Sequence, residues 1–293
     1  MTHYSLPACL VAFDCEATGL EPGSRLIELA AVCFNPEGQV TGRFQRLVDP
    51  GMGLPPDIVE LTGVTRMELA SAGDAAACLD AFLDWLPEGA VLCAHNIRFD
   101  LRLLGYEADH SRRQLPAWPL LDSMALARAW RHGATSLRLH DLADHLALNR
   151  DGKAHRAATD AEITRRLVLR SLPELTSPRH RRVLRPFHFV GDWRRPRAWP
   201  AGFEQLPVWQ RRGTRITIVY SDRAGRTTER QVTIYGFAQT ARGLQFHGWC
   251  HLRNARRNFF VERCRLLDAE PSVGGPLRSS PEAAACRRQG PPS

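Results

Sequence analysis

The sequence predicts a mixed α/β domain followed by a small all-β domain. Residues 8–50 alternate in the manner of three strands, and beyond residue 56 short apolar runs alternate with helical patterns. Strands followed by strand–helix alternation are typical of a mixed sheet with helices packed on it. From residue 209 the pattern returns to short strands joined by turns, which indicates a second, all-β unit.

The elements of the first domain are marked by changes in the spacing of apolar residues. Strands are predicted at residues 8–13, 25–34, 39–48, 90–94 and 119–121. Helices are predicted at residues 56–61, 74–86, 99–104, 123–131, 137–148 and 159–170. The helix at 137–148 has a leucine stripe, so its polar residues are predicted to form a solvated face: His140, Asp141, Asp144 and His145.

The second half of the chain divides into three segments. Residues 173–208 are rich in Arg, Pro and Trp, show no period and are interpreted as a linker. Residues 209–267 contain the predicted strands 215–220, 229–237, 244–252 and 258–266. Residues 268–293 have almost no large apolar residue, which predicts a disordered tail.

The composition narrows the class of protein. The 293 residues are 44 % apolar, which permits a sizeable core, and carry a formal net charge of +8. A basic surface attracts phosphate backbones, although an arginine bias with Lys153 as the only lysine is also typical of a GC-rich genome. No run approaches the roughly 18 apolar residues of a membrane span, and the first residues lack signal-peptide features. The eight cysteines include no CxxC pair, so we expect reduced thiols in a cytoplasmic protein without membrane association.

Acidic residues at the end of the first strand suggest a metal site. Asp14 and Glu16 are two residues apart, so their side chains point to the same face of the strand. Carboxylates aimed at one spot repel each other unless a cation lies between them, and hard oxygen ligands suit Mg²⁺ or Mn²⁺. Taken alone, such a pair is also typical of an exposed acidic loop.

Two further motifs place an aspartate in the first turn of a predicted helix. HNIRFD at residues 95–100 follows a buried strand, which is where α/β folds place ligand sites. HRAATD at residues 155–160 carries His155 five residues before Asp160. Either motif alone is explained better by helix capping, through Asn96 or Asp100 in the first and Thr159 or Asp160 in the second.

The three motifs together, in this order, resemble the signature of the DEDDh exonuclease family, which includes the proofreading subunit of bacterial DNA polymerase III. The first motif reads FDCEATG at residues 13–19, and the fillers RLIE at 25–28 and LTGVT at 61–65 also fit. The resemblance covers residues 8–172 within a first domain taken as residues 1–172. It implies an RNase H-like fold, with a mixed β-sheet flanked by helices.

The resemblance also implies roles for individual residues. Four carboxylates would hold two divalent cations, Mg²⁺ or Mn²⁺: Asp14, Glu16, Asp100 and Asp160. His155 would be the general base, since Arg156 occupies the place of the tyrosine in the other version of the motif. Four residues are expected to contact the terminal nucleotide, with a core role as the alternative for the last of them: Thr18, Gly19, Asn96 and Phe99.

Residues 209–267 resemble a WYL domain, through GWCHLR at 248–253 and RRNFFVER at 256–263. That family implies a small Sm-like or SH3-like β-barrel that binds ligands, including nucleic acids. The WYL tripeptide itself is absent, which leaves the ligand open.

An aromatic beside arginines can stack a base and hold a phosphate, so the C-terminal unit has candidate contacts of its own. They are Trp249, His251, Arg253 and Arg263. A core position is the alternative for Trp249. Strand alternation sends Cys250 to the face opposite His251, which argues against zinc. The predicted linker contains seven arginines, which either bind along a nucleic-acid strand or belong to a linker with no binding role. They are Arg179, Arg181, Arg182, Arg185, Arg194, Arg195 and Arg197.

The activity implied is metal-dependent removal of nucleotides from 3′ ends, with DNA favoured over RNA. A 3′-5′ exoribonuclease is the rival within the enzyme class. From another class, the chain could be a nucleic-acid-sensing regulator that uses its WYL-like domain and keeps the nuclease fold as a scaffold. A DNA polymerase or repair partner is left open.

Overall fold

The computed structural model describes residues 8–21, 23–130, 133–149, 152–174, 187–188, 199–240 and 243–269. Within them the chain forms two sheets, one of six strands and one of five. Helices pack on the six-stranded sheet, as the sequence predicts. None of the described helices is long and apolar enough to cross a membrane.

The first sheet is mixed and has the spatial order β3-β2-β1-β4-β5-β6. Its strands are β1 (Leu10–Ala17), β2 (Leu26–Phe34), β3 (Val40–Leu47), β4 (Val91–Ala94), β5 (Pro119–Asp122) and β6 (Phe187–His188). β1 pairs antiparallel with β2 and parallel with β4, and every residue of β2 is buried. A sheet covered on both faces accounts for the continuous apolar sequence of these central strands.

Seven helices of the described chain belong to this domain. They are α1 (Pro56–Thr62), α2 (Arg66–Ala70), α3 (Ala75–Trp85), α4 (Arg98–His110), α5 (Ser123–Ala129), α6 (Leu139–His145) and α7 (Ala157–Ser171). The prediction missed α2, a five-residue helix that begins with a capping box between Thr65 and Glu68. α6 is shorter than the predicted helix, because its last turn closes at Leu146.

Strand β1 is longer than predicted, and this extension positions the acidic residues. Its pairing with β4 ends at Ala12, while its pairing with β2 continues to Ala17. Asp14 and Glu16 therefore lie within the strand and not after it. Beyond Ala12 the edge of β1 that faced β4 is free to meet the start of α4.

A buried ion pair fixes α4 to the start of β2. Arg25 donates to Glu107 through Nε (2.8 Å) and Nη2 (2.9 Å), and the backbone N–H of Leu26 also donates to Glu107 (2.9 Å). The Glu107 side chain is fully buried and that of Arg25 is 14 % exposed. A charge in such a place is tolerated only because it is paired and hydrogen-bonded.

The second domain is an antiparallel sheet with the order β10-β9-β8-β7-β11. Its elements are α8 (Leu206–Arg212), β7 (Arg215–Ser221), β8 (Thr227–Thr240), β9 (Gly243–Cys250), β10 (Ala255–Phe260) and β11 (Cys264–Ala269). Its core includes Phe203, Trp209 and Phe246. The predicted barrel is not confirmed, because the edge strands β10 and β11 do not pair with each other in the described residues.

Three boundaries in this half differ from the prediction. Trp199 packs against the core of the second domain, and Phe203 and Leu206 are part of that core, so residues 199–208 are not a spacer. The single strand predicted at 258–266 is two strands, separated by a 3-10 turn at Val261–Arg263. β11 continues to Ala269, and residues 270–293, predicted as a tail, lie outside the described residues, as do the seven linker arginines.

We predict that Glu107→Ala lowers the free energy of unfolding by about 3–5 kcal/mol, because it leaves the Arg25 charge without its partner and the Leu26 N–H unsatisfied. Urea unfolding followed by circular dichroism measures this change. The control is Glu60→Ala, an exposed glutamate of α1, for which we expect a change within about 0.5 kcal/mol. Equal effects of the two variants would contradict the role assigned to the pair.

Candidate active site

Three of the predicted carboxylates converge at the end of β1. The carboxylate oxygens of Asp14, Glu16 and Asp160 lie within 4.8 Å of one another. Asp14 and Glu16 come from the same face of β1, and Asp160 comes from the first turn of α7, which packs across the sheet. Three oxygen donors at this spacing are suited to a hard divalent cation.

The fourth carboxylate, Asp100, comes from α4 and meets the backbone of β1 between Asp14 and Glu16. It lies in the first turn of α4, is 2 % exposed, and accepts a hydrogen bond from the backbone N–H of Cys15 (3.1 Å). That bond ties α4 to the strand residue between Asp14 and Glu16. All four predicted carboxylates therefore surround the same stretch of β1.

Burial and neighbouring charges raise the pKa of three of the four carboxylates, Asp14, Glu16 and Asp100. Burial, together with the neighbouring Asp100 and Asp160, raises the pKa of Asp14 well above its ordinary value. Burial and the nearby Asp160 and Glu28 raise the pKa of Glu16 to about 8, and burial raises the pKa of Asp100 to about 8. Without a cation this site holds protons at neutral pH, so a divalent ion has to displace them.

Two histidines lie beside Asp160. The ring centroids of His155 and His140 are 5.0 Å apart, and His140 Nε2 is 3.2 Å from Asp160 Oδ1. The candidate base is therefore next to the carboxylate cluster, as the motif spacing predicts. The prediction that His140 belongs to a solvated face is wrong. It lies one turn before the buried Ala143, at the edge of the packed stripe of α6, so it faces α7.

Another buried ion pair holds the loop that carries His155. Arg156 donates to Glu28 from Nε (2.9 Å) and Nη2 (3.2 Å), and Ala157 N–H also donates to Glu28 (3.3 Å). Glu28 is fully buried in β2, and in the register of the two strands it lies directly opposite Glu16 of β1. His155 has a left-handed backbone with φ of +57°. The clamp on the next residue stabilises this uncommon conformation.

The sequence carries a signal for this buried ion pair. Glu28 is an acidic residue inside a nine-residue buried strand, where a charge without a partner is costly. Such a residue predicts an arginine or lysine nearby. Which arginine it is depends on how α7 packs on β2, and the sequence does not reveal that.

The other residues of the motifs have defined places. His95 is a structural residue, because its ring nitrogens contact Ser123 Oγ (2.9 Å) and the Leu137 carbonyl (2.7 Å), and burial lowers its pKa. Asn96 is exposed with φ of +61°. Phe99 is partly buried against the core and lies under the Arg102 guanidinium (5.4 Å).

Thr18 and Gly19 follow β1 directly. Thr18 is buried, and its hydroxyl accepts a hydrogen bond from Arg25 N–H (2.9 Å) while its own N–H donates to the Arg25 carbonyl (2.8 Å). The two bonds close a loop of residues 18–25. Gly19 lies in this loop, where an added Cβ would meet the side chains of Arg256, Glu21 and Ser24.

Comparison with known proteins identifies the first domain. Residues 11–168, more than half of the chain, match the family model described as Exonuclease. The chain belongs to this exonuclease family. Residues 208–268 match the model of the WYL domain.

Two curated relatives agree with this assignment. The 3′-5′ exonuclease DinG of Bacillus subtilis is 34 % identical over 190 residues, which are 62 % of this chain and 20 % of that protein. The DNA polymerase III subunit epsilon of Treponema pallidum is 33 % identical over 155 residues, which are 52 % of this chain and 71 % of that protein. This chain thus spans only about a fifth of the first relative.

Solved structures show the same fold. The nuclease domain of 3′hExo, a DEDDh family member bound to rAMP, is 20 % identical with a TM-score of 0.51, over 59 % of this chain and 95 % of the other. The E. coli ExoI–ssDNA complex in its zinc-bound form is 17 % identical with a TM-score of 0.51, over 83 % of this chain and 55 % of the other. The second alignment extends beyond the exonuclease domain.

The candidate contacts of the C-terminal domain lie outside its core. Trp249 is half-buried, while Cys250 belongs to the core. His251 is exposed and bonded to Thr233 Oγ1 (2.9 Å), and Arg253 is exposed. Arg263 lies over the Phe260 ring (5.6 Å).

We predict that the stability of the metal-free protein falls as pH rises from about 4.5 to about 8. Glu16 has a folded pKa of about 8 against an ordinary value of 4.5, so its contribution is complete below pH 4.5 and is lost as pH rises through 8. Mg²⁺ requires the deprotonated cluster, so the increase in Tm on adding Mg²⁺ should grow over the same range.

Thermal unfolding of Glu16→Gln, with EDTA and with Mg²⁺, measures both effects. We expect a flatter pH profile without metal and a much smaller Tm increase with Mg²⁺. Glu88→Gln, at an exposed position, serves as the control and should behave as the wild type. The Tm of the metal-free wild type should fall relative to the Tm of metal-free Glu16→Gln between pH 5 and 8. If it does not, this account of the cluster is contradicted.

Proposed function

We propose that this chain is a metal-dependent 3′-5′ exonuclease that releases nucleoside monophosphates from the 3′ ends of DNA, single-stranded ends in particular. The observation that carries the proposal is the convergence of Asp14, Glu16 and Asp160 around one point, with Asp100 bonded to the backbone of β1 between Asp14 and Glu16 and with His155 beside Asp160. The family of the first domain supports the reaction class.

Four carboxylates are the residues that would hold the metal: Asp14, Glu16, Asp100 and Asp160. Their oxygen donors and their mutual repulsion fit two Mg²⁺ or Mn²⁺ ions, which when bound acidify a water and stabilise the charge on the phosphate and the leaving 3′-oxygen. In this proposal the protein keeps the four side chains in place through β1, α4 and α7.

His155 is proposed as the general base. Imidazole is the side chain that accepts a proton near neutral pH, and His155 stands at the open side of the cluster, partly exposed. The Arg156–Glu28 pair orients its loop. His140 approaches the shared Asp160 and so lies within reach of the same site.

The terminal nucleotide is proposed to lie over the loop that follows β1. The Thr18 hydroxyl and the unencumbered backbone of Gly19 would contact the sugar, with Asn96 and Phe99 on the opposite side. These four contacts follow from the motif match, and the positions of the residues around the carboxylates support them.

DNA is the proposed substrate because the relatives most similar in sequence include a subunit of DNA polymerase III. A 3′-5′ exoribonuclease is the second candidate, and a contact to the 2′-OH would distinguish it. Association with a polymerase or a repair complex is a further proposal drawn from the same relative.

The thiols of all described cysteines are free, which supports a cytoplasmic location.

The C-terminal domain is proposed to recruit nucleic acid to the nuclease. Its exposed or half-buried contacts combine rings and positive charge: Trp249, His251, Arg253 and Arg263. In the alternative, in which the chain is a regulator, loss of Asp14 would leave its biological activity intact.

Cleavage of a 5′-labelled single-stranded DNA tests the proposal directly. With Mg²⁺ or Mn²⁺ we expect a ladder that shortens from the 3′ end, with no products in EDTA and none with Asp14→Ala. A matched RNA should be degraded more slowly. Faster loss of the RNA would favour the exoribonuclease. If neither nucleic acid is cleaved, the proposed nuclease function is wrong.

His155→Ala should lower kcat by at least about 100-fold, because a positioned base contributes on the order of 10²–10⁴ to the rate. The Tm increase on adding Mg²⁺ should remain, since the four carboxylates are unchanged. His145→Ala, on the exposed side of α6, is the control and should keep its rate. If His155→Ala lost the Mg²⁺-induced Tm increase, His155 would be a metal ligand and the base would have to be sought elsewhere.

A further inference from the structure

The loop of residues 18–25 touches both domains. On the exonuclease side, Arg102 Nη2 donates to the Leu20 carbonyl (2.7 Å), and the loop ends at the Arg25–Glu107 pair. On the other side, Gln210 Nε2 of the C-terminal domain donates to the Gly23 carbonyl (3.4 Å). The loop that carries Thr18 and Gly19 is therefore held between two domains.

Arg256, on β10 of the C-terminal sheet, reaches across to this loop. Its guanidinium lies against Gly19, so closely that a Cβ added there would collide with Nη1. Nη1 is 3.7 Å from Glu21 Oε2, and Nε is 2.9 Å from Asp57 Oδ2 at the start of α1. The guanidinium also lies over the Tyr235 ring (5.6 Å) of its own sheet.

Two glycines allow the backbones of the two domains to meet beside this arginine. A Cβ at Gly23 would collide with the backbone of Phe237, and a Cβ at Gly236 would collide with the Gly23 carbonyl and the His247 ring. Tyr106 of α4 adds a hydrogen bond from its hydroxyl to the Phe237 carbonyl (3.1 Å). Such close backbone approach requires a fixed interface and not two domains on a loose tether.

We propose that Arg256 is a positioning residue of the nuclease, which holds the loop of residues 18–25 in the form that presents Thr18 and Gly19 to the terminal nucleotide. The inference rests on the proposed function and deepens it, because it makes the C-terminal domain part of the catalytic unit. Arg256 acts through the loop and not on the substrate. Its side chain is only 14 % exposed and is occupied by two carboxylates, so it is a poor site for a phosphate.

The test compares Arg256→Ala with Arg257→Ala in the full-length chain. Arg257 is the neighbouring arginine of β10, so its replacement by alanine removes the same charge. It is exposed and points to the opposite face of the strand, away from the loop. Hydrogen exchange followed by mass spectrometry reports on the loop without any need for activity. We expect the Thr18–Arg25 peptide to exchange about tenfold faster in Arg256→Ala alone, because the amides of Thr18 and Ser24 lose their protected geometry.

Kinetics on the 5′-labelled DNA give the second measurement. In Arg256→Ala we expect kcat/KM to fall by about tenfold or more, because small misplacement of a substrate is costly, while the Mg²⁺-induced Tm increase is unchanged. Arg256→Lys should recover part of the loss, since it keeps the charge without the planar, two-sided contact.

A steric change at the same interface gives an independent check. Gly236→Ala adds only a methyl group, and it should loosen the loop and lower kcat/KM as Arg256→Ala does. Gly53→Ala, where an added Cβ meets nothing within 4 Å, is its control.

Loop exchange in Arg256→Ala equal to that in Arg257→Ala, with kcat/KM within about twofold of wild type, would overturn the proposal. Lower kcat/KM with unchanged loop exchange and a weaker salt dependence of KM would also overturn it, in favour of direct phosphate contact. A wild type that cleaves nothing would refute the nuclease function, and the exchange measurement would still decide whether Arg256 holds the loop.

Discussion

The repulsion among carboxylates at the end of β1 is the constraint on which the rest of the structure depends. The carboxylate oxygens of Asp14, Glu16 and Asp160 lie within 4.8 Å of one another, and burial together with the neighbouring carboxylates raises the pKa of Asp14 and of Glu16. A fold keeps such a cluster only when the surrounding packing holds the side chains in position. A divalent cation would relieve this repulsion while the carboxylates stay ionised, whereas protons relieve it only by removing the charge.

The fold separates the carboxylates that are proposed to bind metal from the buried acids that hold the helices in place. Glu28 and Glu107 are fully buried acids, and each forms an ion pair with an arginine and accepts a hydrogen bond from a backbone N–H. These pairs attach α4 and the loop before α7 to β2, the most deeply buried strand. The carboxylates of the cluster are thus left to the proposed metal, while the acids paired with arginine fix the geometry of the helices that carry Asp100 and Asp160.

The two domains differ in how far pattern alone could predict them. In the first, strand and helix periods placed most elements, but they missed α2, the two-residue strand β6 and the full lengths of β1 and α4. In the second, the strands were found, but Phe203 and Leu206 were assigned to a linker because a short helix among arginines and prolines has no visible period. These residues are core only because the sheet covers them, and no local pattern records that.

The sequence by itself determined the exonuclease motifs, their order and the identity of the four carboxylates and His155, because spacing along β1, α4 and α7 is a local property. The tertiary structure decided which residues surround them. His140 beside Asp160 and Arg256 beside Gly19 come from elements far apart in the chain, brought together by packing of apolar faces. Contacts of that kind depend on how whole helices and sheets dock, and a single sequence holds no periodic signal for them.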